Sequence, residues 1–309
     1  MAFFKPYSLG TMMMAWRLDK TQAREVVAVA LDHDITLMDT SVSYARGACH
    51  AMLAAVIKEL GCSQKVQIAS KVGGVASDTD PDHFKGLTAF NIARQCDLSL
   101  QQLGVDALDL LQLHFYEASV PLHEQVEAMQ KLQAIGKIKA WGVCNYSAAQ
   151  FQQLHDCASQ LGGALPVSNQ VQFNLIDRSA ATELPDVLKA TRTESMVWGP
   201  LSSGILTNQT AQYMAFDPKS RIGSGREKDS KLAILALEST QKLLQQLSLV
   251  SSKTGASVSQ LAIAWTSQQA WVNTILLGPS SLEQFKELVA IPRLQLDPLL
   301  LKSLALPAV

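Results

Sequence analysis

Charge is scarce in this chain and evenly split: 17% of its 309 residues are charged, 26 basic against 27 acidic, for a formal net charge of −1. Without a surplus of either sign there is no electrostatic case for nucleic acid or an anionic membrane surface as a partner. Cysteine is sparse as well. Cys49, Cys62, Cys96, Cys144 and Cys157 are odd in number and show neither CxxC nor Cys/His ligand spacing. That argues against a disulfide framework and a zinc site, and for a reducing compartment. No apolar run approaches the length of a membrane span, and the stretch from Met1 to Tyr7 lacks a basic segment leading into an apolar one, so the cytoplasm is the expected location. No linker rich in Pro, Gly or Ser divides the chain and no period repeats, so one domain is expected over residues 1–309.

What the chain has in plenty is apolar residue, 48% of the total, arranged in short runs that alternate with helical patterns. Eight runs stand out: Ser8–Thr11, Ile35–Asp39, Gln67–Ser70, Leu108–Gln112, Ala140–Val143, Ser168–Val171, Ser195–Trp198 and Thr274–Leu277. Between them lie amphipathic stretches such as Lys20 to His33, where Val26, Val27, Ala30 and Leu31 share a face opposite Gln22, Arg24 and Asp32. Parallel strands need helical cover and right-handed crossovers, so eight strands each followed by a helix predict an α/β fold, a (β/α)8 TIM barrel. The structural alternative is an open doubly wound sheet. Against it, the first strand-to-helix junction, Gly10-Thr-Met-Met-Met-Ala-Trp16, has no GxGxxG to cradle a dinucleotide pyrophosphate. The one long irregular segment is read as Ser202 to Ser230, which holds Lys219, Arg221, Gly223, Gly225 and Arg226.

Barrel enzymes place their chemistry at the C-terminal ends of the strands. Asp39 ends the second run, Tyr44 follows on the loop, Lys71 follows Val66-Gln-Ile-Ala-Ser70, and His114 closes Leu108-Asp-Leu-Leu-Gln-Leu113. Singly, each has an ordinary reading: the aspartate a helix cap, the lysine a solvated charge, the tyrosine and histidine packed and satisfied. Together at one barrel mouth they are complementary. A phenol ionises near pH ~10, and a nearby ammonium lowers that value by stabilising the phenolate. Lys71 is assigned that role, with Asp39 holding the ammonium and His114 fixing a substrate oxygen. The chemistry implied is proton donation to an oxygen acquiring negative charge.

Four segments carry a family resemblance: Met38-Asp-Thr-Ser-Val-Ser-Tyr44, Ile68-Ala-Ser-Lys71, Leu103-Gly-Val-Asp-Ala-Leu-Asp-Leu-Leu-Gln-Leu-His114 and Gly136-Lys-Ile-Lys-Ala-Trp-Gly-Val-Cys-Asn145. The chain resembles an aldo-keto reductase from Gly10 to about Leu288, in the branch that includes potassium-channel beta subunits and bacterial aldo/keto reductases. The resemblance implies a catalytic tetrad of Asp39, Tyr44, Lys71 and His114, with Tyr44 as general acid, and hydride transfer to an aldehyde or ketone. It implies NADPH as cofactor, with NADH as the alternative carrier. Gly10, Thr11 and Met12 would line the nicotinamide end, where Asp39 also lies. Cys144 and Asn145 match the family's Ser-Asn pair, whose Asn with Gln170 would bind the carboxamide. Trp198 would stack on the nicotinamide ring, although a tryptophan ending an apolar strand serves equally well as core. The turn Pro200-Leu201-Ser202-Ser203-Gly204 resembles the pyrophosphate-contacting turn, and Gly278, Ser280, Gln284 and Glu287 would edge the adenosine, with Arg221 clamping phosphate. Three departures stand out: Ala45 where the family has Gly, Cys49-His50 for a Ser-Glu pair, and Leu288 for an asparagine beside the adenine.

The start of the chain is short for the β-hairpin that often plugs such a barrel, which leaves floor closure to Phe3, Phe4 and Tyr7. Trp16, Phe115, Tyr116 and Trp141 are read either as an apolar mouth or as core. The C-terminal Leu299 to Val309 is read as packing within the chain. Two other functions are weighed: an NADP(H)-binding regulatory or interaction subunit with slow turnover, and an isomerase or lyase on the same barrel. The last would need a phosphate site or a metal, and no carboxylate and histidine cluster has metal spacing. The expected partner is a small carbonyl compound, and nothing in the sequence speaks to oligomeric state.

Overall fold

A computed structural model describes residues 4–77, 79, 81, 84–207, 228–290, 296, 297, 300 and 304. Eight strands pair in parallel, each with the next, and the last returns to the first to close a barrel. They are β1 (Tyr7–Gly10), β2 (Leu37–Asp39), β3 (Gln67–Val72), β4 (Leu108–Leu113), β5 (Ile138–Cys144), β6 (Ser168–Gln172), β7 (Glu194–Trp198) and β8 (Thr274–Leu277). Helices α1 (Lys20–Asp32), α2 (Ala48–Leu60), α3 (Ala89–Leu103), α4 (Leu122–Ala134), α5 (Ala148–Leu161) and α6 (Leu184–Thr191) fill the crossovers between β1 and β7. The β7–β8 connection is longer and carries α7 (Lys228–Ala236), α8 (Glu238–Thr254) and α9 (Val258–Ser267), and α10 (Leu282–Val289) follows β8. The chain is thus a single α/β domain, a TIM barrel. Among the described residues no helix is long and apolar enough to cross a membrane.

The helices begin where short polar side chains can take up orphan N–H groups. Asp19, Ser147 and Ser257 close capping boxes with Gln22, Gln150 and Gln260, and Thr88 and Ser281 cap α3 and α10. Strand periodicity then sorts the core into two parts. Outward residues such as Met38, Ile68, Leu111, Trp141 and Val197 join the helices in one large cluster. Inward residues make a smaller one: Leu37, Ala69, Leu110, Ala140, Met196 and Leu276, with Phe4 packed among them. Phe4 therefore plugs the barrel floor, and its N–H donates to Glu194 Oε2 at 3.2 Å. Tyr7 packs outward against the large cluster, and Phe3 lies outside the described residues. Trp141 is wholly buried core, not mouth.

Two residues beyond that apolar layer, on the same strands, the inward positions become Asp39, Lys71, Gln112 and Trp198. The floor thus positions the site, because a strand in register at Leu37 presents Asp39 one layer higher. Residues 73–88, between β3 and α3, hold no strand or α-helix where described. Most of the segment Ser202 to Ser230 lies outside the described residues.

Candidate active site

β2 and β3 bring the first pair together. Lys71 Nζ, wholly buried, donates to Asp39 Oδ1 at 2.5 Å, to the Thr40 carbonyl at 3.0 Å and to Tyr44 Oη at 3.1 Å. Tyr44 opens a short 3-10 turn, Tyr44–Gly47, just past β2. His114, directly after β4, meets the Tyr44 ring edge-on at 6.1 Å between centroids. Its Nδ1 lies 3.4 Å from Ser41 Oγ. All four residues singled out at the strand ends are therefore neighbours.

Burial decides the protonation states. His114 is pushed down to about 3, chiefly by burial and further by the Lys71 charge, so the ring is neutral. Burial also opposes the Lys71 charge, but Asp39 and Tyr44 outweigh it and the ammonium is held. For Tyr44 the balance corrects the expectation from sequence. Lys71 does lower it, but desolvation is larger and Asp39 adds to it, so the phenol is raised to about 12. The phenol is firmly protonated at neutral pH.

Asp39 Oδ2 takes two further donors, Gln170 Nε2 at 2.8 Å and Gln112 Nε2 at 3.2 Å. Gln112 escapes sequence reasoning because a polar residue in an alternating strand is unremarked until the register with Asp39 is known. Ser41 lies past the end of β2, where only the closed barrel sets its hydroxyl against His114.

A cavity of about 790 Å³ opens over this cluster, within the ~300–1,000 Å³ usual for cofactor sites. Its wall includes Asp39, Tyr44, His114, Cys144, Asn145, Gln170 and Trp198, then Gly10, Met12, Pro200, Leu201 and Gly204, and finally Gly278, Ser280, Gln284 and Glu287. Thr11, Ser202 and Lys71 are buried and are not among its lining residues. Thr11 Oγ1 is tied to the Asp39 carbonyl at 3.0 Å and faces Cys49 Sγ at 3.3 Å. Arg221 lies outside the described residues. Arg17, Ser203, Ser259 and Glu283 also line the wall, and among the described lining residues Arg17 is the one lysine or arginine. Its sequence signal was weak, a lone basic residue in the β1–α1 loop beside the helix cap Asp19.

Ser202, Ser203 and Gly204 have φ of 47°, 59° and 102°; the Ser202 and Gly204 N–H groups donate to the Gly199 and Leu201 carbonyls at 2.9 Å each, and Ser203 lies on the cavity wall. Packing does not demand a glycine at Gly10 or Gly278, where an added Cβ would meet the protein no closer than 3.6 Å, yet both line the cavity. Asn145, itself left-handed at φ 63°, donates to the His114 carbonyl at 3.1 Å and accepts from Trp198 Nε1 at 2.9 Å. This ties the ends of β4, β5 and β7 together. Gln284 Oε1 accepts from the Ser280 N–H at 2.8 Å, and Glu287 accepts from Ser257 Oγ. Leu288 is buried in the wall.

Known proteins share this arrangement of sequence. Over 276 residues the chain is 28% identical to a protein of Schizosaccharomyces pombe described as a putative voltage-gated potassium channel subunit beta, covering 87% of this chain and 78% of the relative. The pattern of the aldo/keto reductase family matches from residue 7 to residue 304, so the match takes in every strand of the barrel and every residue of the cavity wall. Membership there implies, in general, NAD(P)H-dependent reduction of small carbonyl compounds. With nearly its whole length matched, the chain belongs to the aldo/keto reductase family.

Proposed function

We propose that the protein reduces an aldehyde or ketone to an alcohol with NADPH, and that Tyr44 is the general acid. The observation that carries this reading is a protonated phenol 3.1 Å from a buried ammonium, on the wall of a cavity large enough for a nicotinamide dinucleotide. Bound NADPH supplies a hydride to the carbonyl carbon, and the carbonyl oxygen becomes basic as it accepts negative charge. Tyr44 Oη gives that oxygen its proton. Lys71 Nζ, already donating to Oη, stabilises the phenolate left behind, and Asp39 keeps Lys71 charged and aimed. Neutral His114, with the Ser41 hydroxyl at Nδ1, has Nε2 left to hydrogen-bond the carbonyl oxygen and fix its distance from Tyr44.

The same reading assigns the nicotinamide carboxamide to Asn145 and Gln170 and the ring face to Trp198. The turn from Pro200 to Gly204 receives the pyrophosphate, and Gly10 and Met12 line the nicotinamide end. Gly278, Ser280, Gln284 and Glu287 edge the adenosine. Arg221 and the segment from Ser202 to Ser230 are assigned the role of a clamp over the phosphates, and NADPH is preferred to NADH on that account.

The test is a fluorescence titration with NADPH and NADH followed by a panel of aldehydes and ketones. Tighter binding of NADPH and carbonyl-dependent loss of its absorbance are expected. Absence of turnover across the panel sinks the reading. The relative described as a channel subunit supports a second one, in which the chain binds NADP(H) tightly and turns over slowly as an interaction subunit. Tight binding with negligible turnover and a stable complex with another protein would favour it.

A further inference from the structure

Behind the cavity wall, Asp39, Gln112 and Gln170 form a closed ring of hydrogen bonds. Asp39 Oδ2 accepts from both amides, and Gln170 Nε2 also donates to Gln112 Oε1 at 3.1 Å. All three side chains are buried, and Gln112 does not reach the cavity. An ionised carboxylate only accepts hydrogen bonds, so each glutamine must turn its NH2 toward Asp39. Gln112 in turn offers its own Oε1 to Gln170. Both N–H groups of Gln170 are thereby engaged inside the barrel. Its Oε1 accepts from Cys144 Sγ at 3.7 Å and has a second lone pair for a ligand in the cavity.

We infer that Gln112 is a positioning residue for the cofactor: by holding Gln170 with a second hydrogen bond, it presents a carbonyl oxygen, not an NH2, to the nicotinamide carboxamide. This rests on the reductase reading of the site. The carboxamide then donates its N–H to Gln170, which fixes the rotation of that group and with it the face of the ring turned toward the substrate. Gln112 touches neither cofactor nor substrate, and acts through Gln170 and Asp39. A fixed acceptor is worth more to a ligand than one that must be ordered on binding.

The test uses wild type, Gln112→Met and Gln112→Glu, titrated with NADP+ by quenching of tryptophan fluorescence from pH 6 to pH 9. The 3-acetylpyridine analogue of NADP+, in which a methyl group replaces the amide nitrogen, is the second probe. Wild type should bind NADP+ more tightly than the analogue. Gln112→Met, similar in size but without donor or acceptor, should bind NADP+ about tenfold more weakly, as expected for loss of one well-placed hydrogen bond. Its preference over the analogue should shrink toward none. Gln112→Glu supplies the internal comparison. A protonated carboxyl can donate to Asp39 and accept from Gln170, whereas a second carboxylate still accepts from Gln170 but cannot donate to Asp39 and repels it, which pulls the ring of hydrogen bonds apart. Its affinity should approach wild type at pH 6 and fall toward pH 9, while wild type changes little. That comparison is made within one protein, so it stands even where Gln112→Met does not fold. Wild-type affinity and preference in Gln112→Met, or a Gln112→Glu that tracks wild type across pH, overturns the inference alone. A wild type that binds neither nucleotide overturns it together with the reductase reading. Binding without carbonyl reduction overturns only the proposed turnover and leaves the Gln112 comparison decisive.

Discussion

Tyr44 is held by backbone that other residues would hold more easily. The residues after it, Ala45 at φ 47°, ψ 35° and Arg46 at φ 53°, ψ 45°, are left-handed, and Gly47 follows at φ 86°. For a residue with a Cβ the left-handed region costs roughly 1–2 kcal/mol. At Ala45 glycine would remove that cost, less what it adds to the entropy of the unfolded chain. Ala45→Gly is expected to raise stability by about 0.5–1 kcal/mol in urea unfolding, and a loss of stability would show that the turn is not strained as described. At Gly47 the opposite holds, since a Cβ there would come within 2.7 Å of Gln102 Nε2. Strain of this kind cannot be read from sequence, where Ala45 is a departure from a family pattern and nothing more. The Tyr44 acidity was half legible for a similar reason. Lys71 is visible as an opposite charge, whereas the burial that outweighs it exists only once the strands close.

Helix α2 does more than cover β2 and β3. It carries His50, wholly buried, whose Nδ1 lies 3.0 Å from Gln102 Oε1 on α3 and whose Nε2 lies 3.2 Å from Ser70 Oγ, the neighbour of Lys71 on β3. One neutral ring thus ties three elements at the back of the site. Burial pushes His50 down from 6.5 to about 4, with Gln102 opposing and the Lys71 charge assisting. The unfolded chain takes up this proton near pH 6.5 and the folded chain only near pH 4, so acid favours unfolding. The stability from the neutral ring is whole above pH 6.5 and is lost as pH falls through that window, by up to about 1.4 kcal/mol per pH unit. His50→Gln, which cannot protonate, should therefore show a shallower fall in unfolding free energy between pH 6.5 and pH 4.5 than wild type. Equal slopes would mean that His50 does not carry this dependence.

At the scale of the molecule, the barrel was legible because parallel strands must be apolar on their outward face, and all eight runs fall on strands. Their ends were less so. Lys139 makes β5 look shorter than it is, because this exposed lysine sits at the rim, paired with Asp109 at 2.8 Å. Residues 73–88 and the helices between β7 and β8 obey no period that a strand pattern could reveal. The tetrad residues were legible singly, as polar ends of apolar runs, but Gln112 needed the register that sets it beside Asp39. Phe4 shows how the parts combine, since the ring that fills the floor lies one layer below the polar inward positions of the site. One proton, held on Tyr44 at the barrel mouth, is central to the proposed chemistry. Tyr44→Phe removes that proton and leaves Lys71, Asp39 and the cavity wall in place. Steady-state turnover of an aldehyde by this variant, measured beside its NADPH affinity, is expected to fall by about 10²–10⁴-fold with affinity close to wild type. Turnover that survives the substitution at wild-type rate would contradict Tyr44 as the general acid.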